Sequence, residues 1–205
     1  ETAVIDAERA IGHMRDLASE FGSRVGVWRY DPVVATTMTP PDWHVDNFSR
    51  LADFLVGTTD EVVISFAHVY RKTRINMDIA SRLHEFGWDD PPDEEKRELI
   101  TRLVVVAADR GIRLTLCSQK EYLVPKVTLA RCIDVERMSD VAGRSISARR
   151  KGNRPDCMCS ESRDLGDYDT CPHGCVYCYA VRNPALARRK YSAHDPSSSF
   201  LSHLR

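Results

Sequence analysis

The amino-acid sequence predicts an α/β fold in which parallel βαβ units curl into a partial barrel. Short runs of β-branched and aromatic residues alternate along the chain with longer segments of helical periodicity, and this alternation is typical of parallel sheets. Glycine or proline stands at the end of most of these segments, where such residues end helices and strands. Because crossovers between parallel strands are right-handed, successive units are expected to bend toward a barrel.

The first helix and the first strand are indicated by a change in the spacing of apolar residues. Five of them share one helical face at three- and four-residue steps: Ala7, Ile11, Met14, Ala18 and Phe21. Gly22 suits the end of this helix, because glycine readily adopts the conformation of a helix C-cap. The run over residues 25–30 then predicts a buried strand, which Asp31 and Pro32 close, because the residue before a proline favours an extended or turn conformation.

Three more helices and two more strands continue the pattern. The helices carry apolar residues at helical spacing: Phe48, Leu51 and Leu55 in the second, Ile75, Ile79 and Leu83 in the third, and Leu99, Leu103 and Val106 in the fourth. The third is expected to end near Gly87, and the fourth runs from Pro91 to Gly111, with acidic residues at its positive N-terminal end. Residues 61–66 and 112–117 are the second and third buried strands.

The most specific motif of the chain is the spacing C-x-x-x-C-x-x-C formed by Cys171, Cys175 and Cys178. Cysteine thiolates at short, fixed spacings hold iron–sulfur clusters. Three thiolates hold three corners of a 4Fe–4S cube and leave one iron open to a small chelating ligand. A zinc knuckle and a disulfide are the alternatives, although zinc sites favour closed sets of four ligands and disulfides belong to oxidising compartments.

Four further cysteines stand outside this motif. Cys157 and Cys159 form a C-x-C pair, Cys117 ends the third strand, and Cys132 precedes Ile133 and Asp134. Four thiolates are the number that closes a 4Fe–4S cube, so this set predicts an auxiliary cluster. A structural zinc site with four thiolates is the first alternative, and the second is that Cys117 and Cys132 are small, buried apolar residues.

The chain is expected to divide into two parts. Residues 1–135 form the barrel portion, and residues 136–205 form a cysteine-rich, cluster-binding segment in which periodicity fades and charges and prolines dominate. A segment without a large apolar core needs a bound metal to order it. The chain begins at Glu1 without a methionine, which fits a fragment, a cleaved product or a renumbered chain, and in a fragment the first strands of the barrel would be missing.

Several segments together resemble a bacterial family catalogued as a domain of unknown function, with a radical-SAM-like cysteine cluster near the C-terminus and a photolyase-like label. S-R-D-L-G-D-Y-D-T precedes Cys171, and Y-A follows Cys178. The other segments are V-W-R-Y-D-P over residues 27–32, I-S-F over 64–66, C-I-D over 132–134 and H-D-P-S-S over 194–198. The resemblance covers nearly the whole chain.

This resemblance implies a radical S-adenosylmethionine (SAM) enzyme of unknown substrate. Its barrel would be circularly permuted, because radical SAM barrels normally place the cysteine loop after the first strand. Cys171, Cys175 and Cys178 would bind three irons, SAM would chelate the fourth, and a flavodoxin or ferredoxin would supply the electron. The chain contains no Gly-Gly-Glu stretch of the kind that contacts SAM, which counts against SAM cleavage.

Three further residues are candidates for holding SAM. The resemblance places Tyr177 beside the adenine, and packing beneath the loop is the alternative. Arg29 and Asp31 stand where the first strand gives way to a loop, at the edge of a parallel barrel where ligand sites form. Arg29 suits the SAM carboxylate, and an Arg29–Asp31 surface contact of little energetic value is the alternative. The catalytic residues are not predicted.

Composition and charge limit the partners. The chain is 42% hydrophobic and 29% charged, with a formal net charge of −1, so it is not a general polyanion binder. Basic runs over residues 149–154 and 188–190 allow a nucleic-acid substrate, but a small molecule or peptide is favoured. No apolar run is long enough for a membrane span. Seven cysteines without an export signal favour the cytoplasm.

The competing functions use the same cysteines without SAM chemistry. One is a zinc- or cluster-stabilised module that binds nucleic acid or takes part in its repair. The other is a cluster-bearing electron-transfer protein that does not cleave SAM. Bound iron, bound zinc and 5′-deoxyadenosine production separate these hypotheses.

Overall fold

The computed structural model describes residues 3–200. Within this range the chain is α/β, with six helices and four strands, as the sequence predicts in outline. The helices are α1 (Ala7–Phe21), α2 (Pro41–Leu55), α3 (Arg71–His84), α4 (Asp93–Ala108), α5 (Val135–Ala142) and α6 (Pro184–Ser192). None of these described helices is long and apolar enough to cross a membrane.

The described residues form two compact units that interleave along the sequence. The larger unit comprises residues 6–67 and 87–162, and the smaller unit comprises residues 3–5, 68–86 and 163–200. The larger unit therefore contains the sheet with α1, α2, α4 and α5, whereas the smaller one contains α3 and α6. The division of the chain into a barrel portion and a cluster segment near residue 135 stays a prediction.

The sheet of the larger unit has four parallel strands in the order β1-β2-β3-β4. These are β1 (Trp28–Val33), β2 (Glu61–Phe66), β3 (Arg113–Leu116) and β4 (Thr128–Leu129). The sequence analysis did not predict β4, because its two residues are too few to form an apolar run. β1 does not close at Asp31 but continues through Pro32 to Val33, with an irregular register. An edge strand tolerates proline, since its missing N–H interrupts no inner ladder.

One face of the sheet packs against α2 and α4 to form the main core. Six of the most deeply buried side chains lie there: Phe48, Leu55, Ile64, Leu103, Leu114 and Leu116. Side chains alternate along a strand, so the strand residues that do not point into the main core lie on the opposite face of the sheet. The register places Arg29 beside Val63 and Glu61 beside Arg113 on this second face, which is largely polar.

A buried ion-pair network fastens α5 to the polar face. Glu61, only 5% exposed, accepts hydrogen bonds from Arg137 at 2.6 Å, Arg113 at 2.7 Å and Thr115 at 2.8 Å. Arg137 also pairs with Asp60 at 2.7 Å. Because a buried charge is costly unless it is paired, this network fixes where α5 lies on the sheet.

In the smaller unit, the apolar residues predicted for α3 face outward. Ile75, Ile79 and Leu83 are 49%, 55% and 72% exposed, whereas Thr73, Met77 and Ala80 are buried. Thr73 donates a hydrogen bond to the backbone of the cysteine segment, and this contact helps set the rotation of α3 about its axis. The three apolar residues predicted to share one face of this helix do share it, and that face is the exposed one.

Candidate metal centres

The three cysteines of the C-x-x-x-C-x-x-C motif line a single cavity of the smaller unit. This cavity measures about 310 Å³, and its wall includes Cys171, Cys175 and Cys178. Cys171 is exposed, and the other two are half-buried. The remaining wall residues come from α3 and from the cysteine segment itself: Asn76, Ile79, Ala80, Leu83, His84, His173, Gly174, Val176, Val181 and Pro184. Ile79 and Leu83, although exposed, thus give the cavity its apolar side.

Polar side chains of α3 hold the backbone of the cysteine segment. Lys72 Nζ donates to the carbonyl of Val181, Thr73 Oγ1 lies 3.5 Å from the carbonyl of Tyr177, and Asn76 Nδ2 lies 3.2 Å from that of Val176. Sequence reasoning missed all three α3 residues. Their spacing on adjacent turns, which places them on one side of a helix, was the available signal.

The loop that carries the three cysteines is closed at its base by Asp169. The Asp169 carboxylate accepts hydrogen bonds from the backbone N–H groups of Asn183, at 2.9 Å, and Arg182. These bonds, led by that from Asn183, lower the pKa of Asp169. The Asp169 N–H also donates to the carbonyl of Ala180 at 3.3 Å. The two ends of the loop are therefore joined, independently of any metal.

Three other residues of interest lie in the smaller unit. Tyr177 is half-buried, and its role beside an adenine stays a prediction. His173 lines the cavity. Asp195 accepts hydrogen bonds from the backbone N–H of Ser197 at 2.9 Å and from its hydroxyl at 2.7 Å. The segment around Pro196 is therefore an aspartate-stabilised turn.

The other four cysteines lie in the larger unit, and two of them are in direct contact. The sulfurs of Cys117 and Cys132 are 3.8 Å apart. Arg154 donates to Cys117 at 2.9 Å, and Arg29 donates to Cys132 at 3.1 Å. The hydrogen bond from Cys132, followed by the charge of Arg154, lowers the pKa of Cys117 to about 5 against the opposing effect of burial. Cys117 is thus the more acidic thiol of the pair.

Cys157 and Cys159 form the second pair. Their thiols interact with each other, and Cys157 also interacts with the Ser118 hydroxyl. The buried Cys159 sulfur accepts a hydrogen bond from the backbone N–H of Ile133 at 3.4 Å. A Cβ at Gly152 would lie 2.3 Å from the Cys157 carbonyl oxygen, so only glycine allows this close approach. The structure therefore gathers all four cysteines in one region of the larger unit.

None of the seven cysteines, all within the described range, forms a disulfide. Among residues 3–200, no group of three or more His, Cys, Asp or Glu side chains is arranged to hold a metal ion. The three cysteines of the motif share a cavity, and the other four are arranged as two pairs. Binding of a metal at either place is a proposal that rests on the kind of donor and on its surroundings.

Arg29 lies within β1, as predicted, whereas Asp31 continues the strand instead of closing it. Arg29 pairs with Asp31 at 2.5 Å while it donates to Cys132. Burial lowers the pKa of Arg29, but the bonds to Asp31 outweigh it and the pKa is raised. The Arg29–Asp31 contact, which is the alternative to a SAM-binding role for Arg29, is present. Pairing of Arg29 with SAM stays a prediction.

The basic runs are partly neutralised within their own units. Arg149 and Lys151 both pair with Glu161, at 2.6 and 3.1 Å. Lys190, which is buried, pairs with Asp167 at 2.7 Å. Because these charges are already compensated, fewer of them are available to phosphate groups than the sequence suggests.

Comparison with known proteins gives a family but no activity. Residues 1–180 match a protein family described as a domain of unknown function, DUF1848. No curated protein matches the chain, and no solved structure matches it. Since the match spans 180 of the 205 residues and includes all seven cysteines, the chain belongs to the DUF1848 family.

Proposed function

We propose that this protein is a radical SAM iron–sulfur enzyme. Its cluster would be held by Cys171, Cys175 and Cys178. The observation that carries the proposal is that these three thiols line one cavity whose wall contains no fourth cysteine. Three protein ligands leave one iron of a 4Fe–4S cluster open to SAM. When bound and reduced, such a cluster supplies the electron that splits SAM into methionine and a 5′-deoxyadenosyl radical, which takes a hydrogen atom from a substrate.

The residues around the three thiols fit a cluster. Thiolates are the usual ligands of iron–sulfur clusters, and none of these three is consumed by a disulfide. Hydrogen bonds from Thr73 and Asn76 hold the carbonyls of Tyr177 and Val176, so the loop has a defined course before any ligand binds. Pre-organisation of this kind lowers the cost of binding a cofactor.

The cavity favours a small ligand. Its volume of about 310 Å³ lies at the lower end of the range of small-molecule sites. Ile79 and Leu83 supply apolar contact, while Asn76 and the two histidines of the wall supply polar groups. Ile79 and Leu83 are themselves largely exposed, so the cavity is open for a ligand to enter from solvent.

The sheet is consistent with the radical SAM barrel that we propose. Its strands follow one another in sequence order, as in a (β/α) barrel, whereas doubly wound sheets reverse their strand order. Helices α2 and α4 cover one face through the main core, and the other face carries polar residues such as Arg29, Glu61 and Thr115. The sequential strand order and the helices on one face support a barrel-type arrangement, and α5 on the polar face is an addition to it.

The experiment is anaerobic reconstitution with iron and sulfide, followed by addition of SAM and dithionite. We expect a brown protein that produces 5′-deoxyadenosine. The single variants Cys171→Ala, Cys175→Ala and Cys178→Ala should lose at least a hundred-fold in this activity, since each removes a ligand of one iron. The matched control is Cys157→Ala, which removes a thiol outside the motif and should keep a cluster whose spectrum changes on addition of SAM.

Two results would contradict the proposal. The first is a colourless wild-type protein that contains zinc and no iron after anaerobic reconstitution. The second is a variant that lacks one of the three motif cysteines and still cleaves SAM at the wild-type rate. The wild-type protein could also hold a full cluster whose electron paramagnetic resonance (EPR) spectrum does not change on addition of SAM. That result would favour electron transfer without SAM cleavage.

A further inference from the structure

We propose that Cys117 and Cys132 form a redox-active dithiol, which exchange with a low-molecular-weight disulfide converts into a reversible intramolecular disulfide. This site goes beyond the proposed SAM chemistry and does not depend on it. Both thiols lie in the larger unit, and both are free thiols in the structure.

The sheet brings the two sulfurs together. Cys117 directly follows β3, and Cys132 comes three residues after Leu129, where β4 ends. These two strands are parallel neighbours in which Leu116 lies beside Leu129, and the Ala130 N–H extends their pairing by donating to the Leu116 carbonyl at 2.8 Å. The sulfurs of Cys117 and Cys132 are therefore 3.8 Å apart although the residues are 15 positions apart in sequence.

A disulfide requires only a small movement from this arrangement. Its S–S bond is about 2.05 Å long, so the two sulfurs must approach each other by roughly 2 Å. Rotation of the cysteine side chains about their Cα–Cβ bonds supplies movements of this size without a change in the strands. Two thiols in contact are also all that a disulfide needs, whereas a closed metal site takes about four ligands. The described residues 3–200 contain no group of three or more His, Cys, Asp or Glu side chains arranged to hold a metal ion.

The surroundings of the two sulfurs suit thiol–disulfide exchange. The Arg154 guanidinium donates to Cys117 at 2.9 Å, and Arg29 donates to Cys132 at 3.1 Å. Positive groups beside a cysteine are typical of reactive thiols, whereas a structural cysteine in an apolar core is inert. Cys132 is exposed and Cys117 is buried, so a small disulfide dissolved in water meets Cys132 first.

Exchange then takes two steps. The Cys132 sulfur attacks one sulfur of the small disulfide, so that a new S–S bond forms, the old one breaks, and a first small thiol leaves with one proton. Cys117 attacks the Cys132 sulfur of this mixed disulfide, and a second small thiol leaves with the other proton. The two cysteines lose two electrons, which reduce one small disulfide to two thiols. An excess of the same small thiol reverses both steps.

The oxidised and reduced forms differ at one edge of the sheet. Oxidation joins the segments that follow β3 and β4 by a covalent bond, and it leaves Arg29 and Arg154 beside a neutral disulfide instead of two thiols. In reducing compartments, the disulfides that do form are usually transient and are catalytic or redox-sensing. We therefore infer that this pair responds to the ratio of small thiols to small disulfides around the protein.

The experiment equilibrates the full chain anaerobically with mixtures of reduced and oxidised glutathione and then alkylates the remaining thiols with N-ethylmaleimide. Trypsin places Cys117 on the peptide of residues 114–120 and Cys132 on that of residues 132–137. Cys157 and Cys159 share a third peptide, over residues 152–163, and the motif cysteines share a fourth, over residues 164–182. Mass spectrometry should show the first two peptides linked to each other. The link should form in one transition as the oxidised fraction rises, and dithiothreitol should remove it.

Two variants test the order of the steps. Cys117→Ser should lose the link and carry one glutathione on the peptide of residues 132–137, because no second thiol displaces it. Cys178→Ala is the matched control, since it removes a thiol of the motif in the smaller unit, and it should keep the wild-type transition whether or not the motif holds a cluster. Far-ultraviolet circular dichroism checks that both variants fold.

Three results overturn the inference. The first is a wild-type protein without the link at any glutathione ratio. The second is a wild-type protein in which Cys117 or Cys132 is linked instead to the peptide that carries Cys157 and Cys159. The third is a folded Cys117→Ser variant that takes up no glutathione at Cys132. None of these results depends on SAM cleavage, so the proposed function stands or fails separately.

Discussion

Single residues set the electrostatics around the thiols of the larger unit. Arg154 and Arg29 each donate to one sulfur, and Arg29 is held in place by Asp31. Arginine keeps its charge at every physiological pH, so both groups remain positive whether or not the thiols carry a metal.

His44 provides a test of stability against pH. Its side chain is buried between the Tyr30 hydroxyl, at 2.9 Å, and the carbonyl of Val34, at 3.2 Å. Burial lowers the pKa of His44, so the unfolded chain takes up a proton at a higher pH than the folded chain does. The free energy of unfolding should therefore decrease as the pH falls below about 6.5, the usual histidine value.

Urea denaturation between pH 7.5 and pH 5.5 measures this contribution. His44→Asn should flatten the pH dependence, although its overall stability will be lower. His13→Asn, which changes an exposed histidine of α1, is the control and should keep the wild-type slope. A slope that is the same in all three proteins would show that His44 does not contribute.

At the scale of elements, α3 and Asp169 define the course of the cysteine loop. The motif spacing identifies the three thiols, because it depends on sequence separation alone. The residues that hold the loop are bonded to its backbone carbonyls and N–H groups, and a sequence does not show which carbonyls will come near. Ile75, Ile79 and Leu83 illustrate the same limit, since their spacing identifies a helical stripe but not what covers it.

Asp169→Ala tests whether the base of the loop supports the cluster. The change removes both hydrogen bonds to Arg182 and Asn183, and loss of supporting groups around a metal site typically costs 10- to 100-fold in affinity. Iron release to a chelator should be correspondingly faster. Asp164→Ala is the control, because Asp164 accepts a hydrogen bond within its own turn, from the backbone N–H of Gly166. Equal release rates would show that the loop does not need Asp169.

The attachment of α5 to the sheet predicts a large stability effect. Arg137→Leu would leave the buried carboxylate of Glu61 without its closest partner, and removal of one member of a buried pair costs about 3–5 kcal/mol. Arg149→Leu, at a pair whose arginine side chain is 71% exposed, should cost about 1 kcal/mol or less. Urea denaturation of both variants measures the difference. Similar losses would show that burial does not strengthen the Arg137 network.

On the scale of the whole chain, alternating strands and helices were predictable because each spans enough residues to show a period. All three predicted strands and four predicted helices are present. β4, α5 and α6 were not predicted, because they are short and lie among charges and prolines. The two-unit organisation was also not predictable, since it depends on residues 68–86 packing with residues that follow nearly a hundred positions later.

Charge over the whole chain predicts weak binding to nucleic acids. The net charge is −1, and Arg149, Lys151 and Lys190 already have carboxylate partners. Fluorescence anisotropy with single- and double-stranded DNA should show weak binding that changes little between low and high salt. A steep decrease in affinity with rising salt would instead support a nucleic-acid substrate. Each phosphate contact adds about 0.7–0.9 to the slope of log affinity against log salt.

The bonds between α3 and the cysteine segment also fix an order of events during synthesis. Lys72, Thr73 and Asn76 are separated from their partners by 109, 104 and 100 positions. At elongation rates of about 5–20 residues per second, α3 leaves the ribosome roughly 5–20 seconds before the carbonyls that it will hold. The cysteine segment can therefore take the course that α3 defines only after both segments have been synthesised.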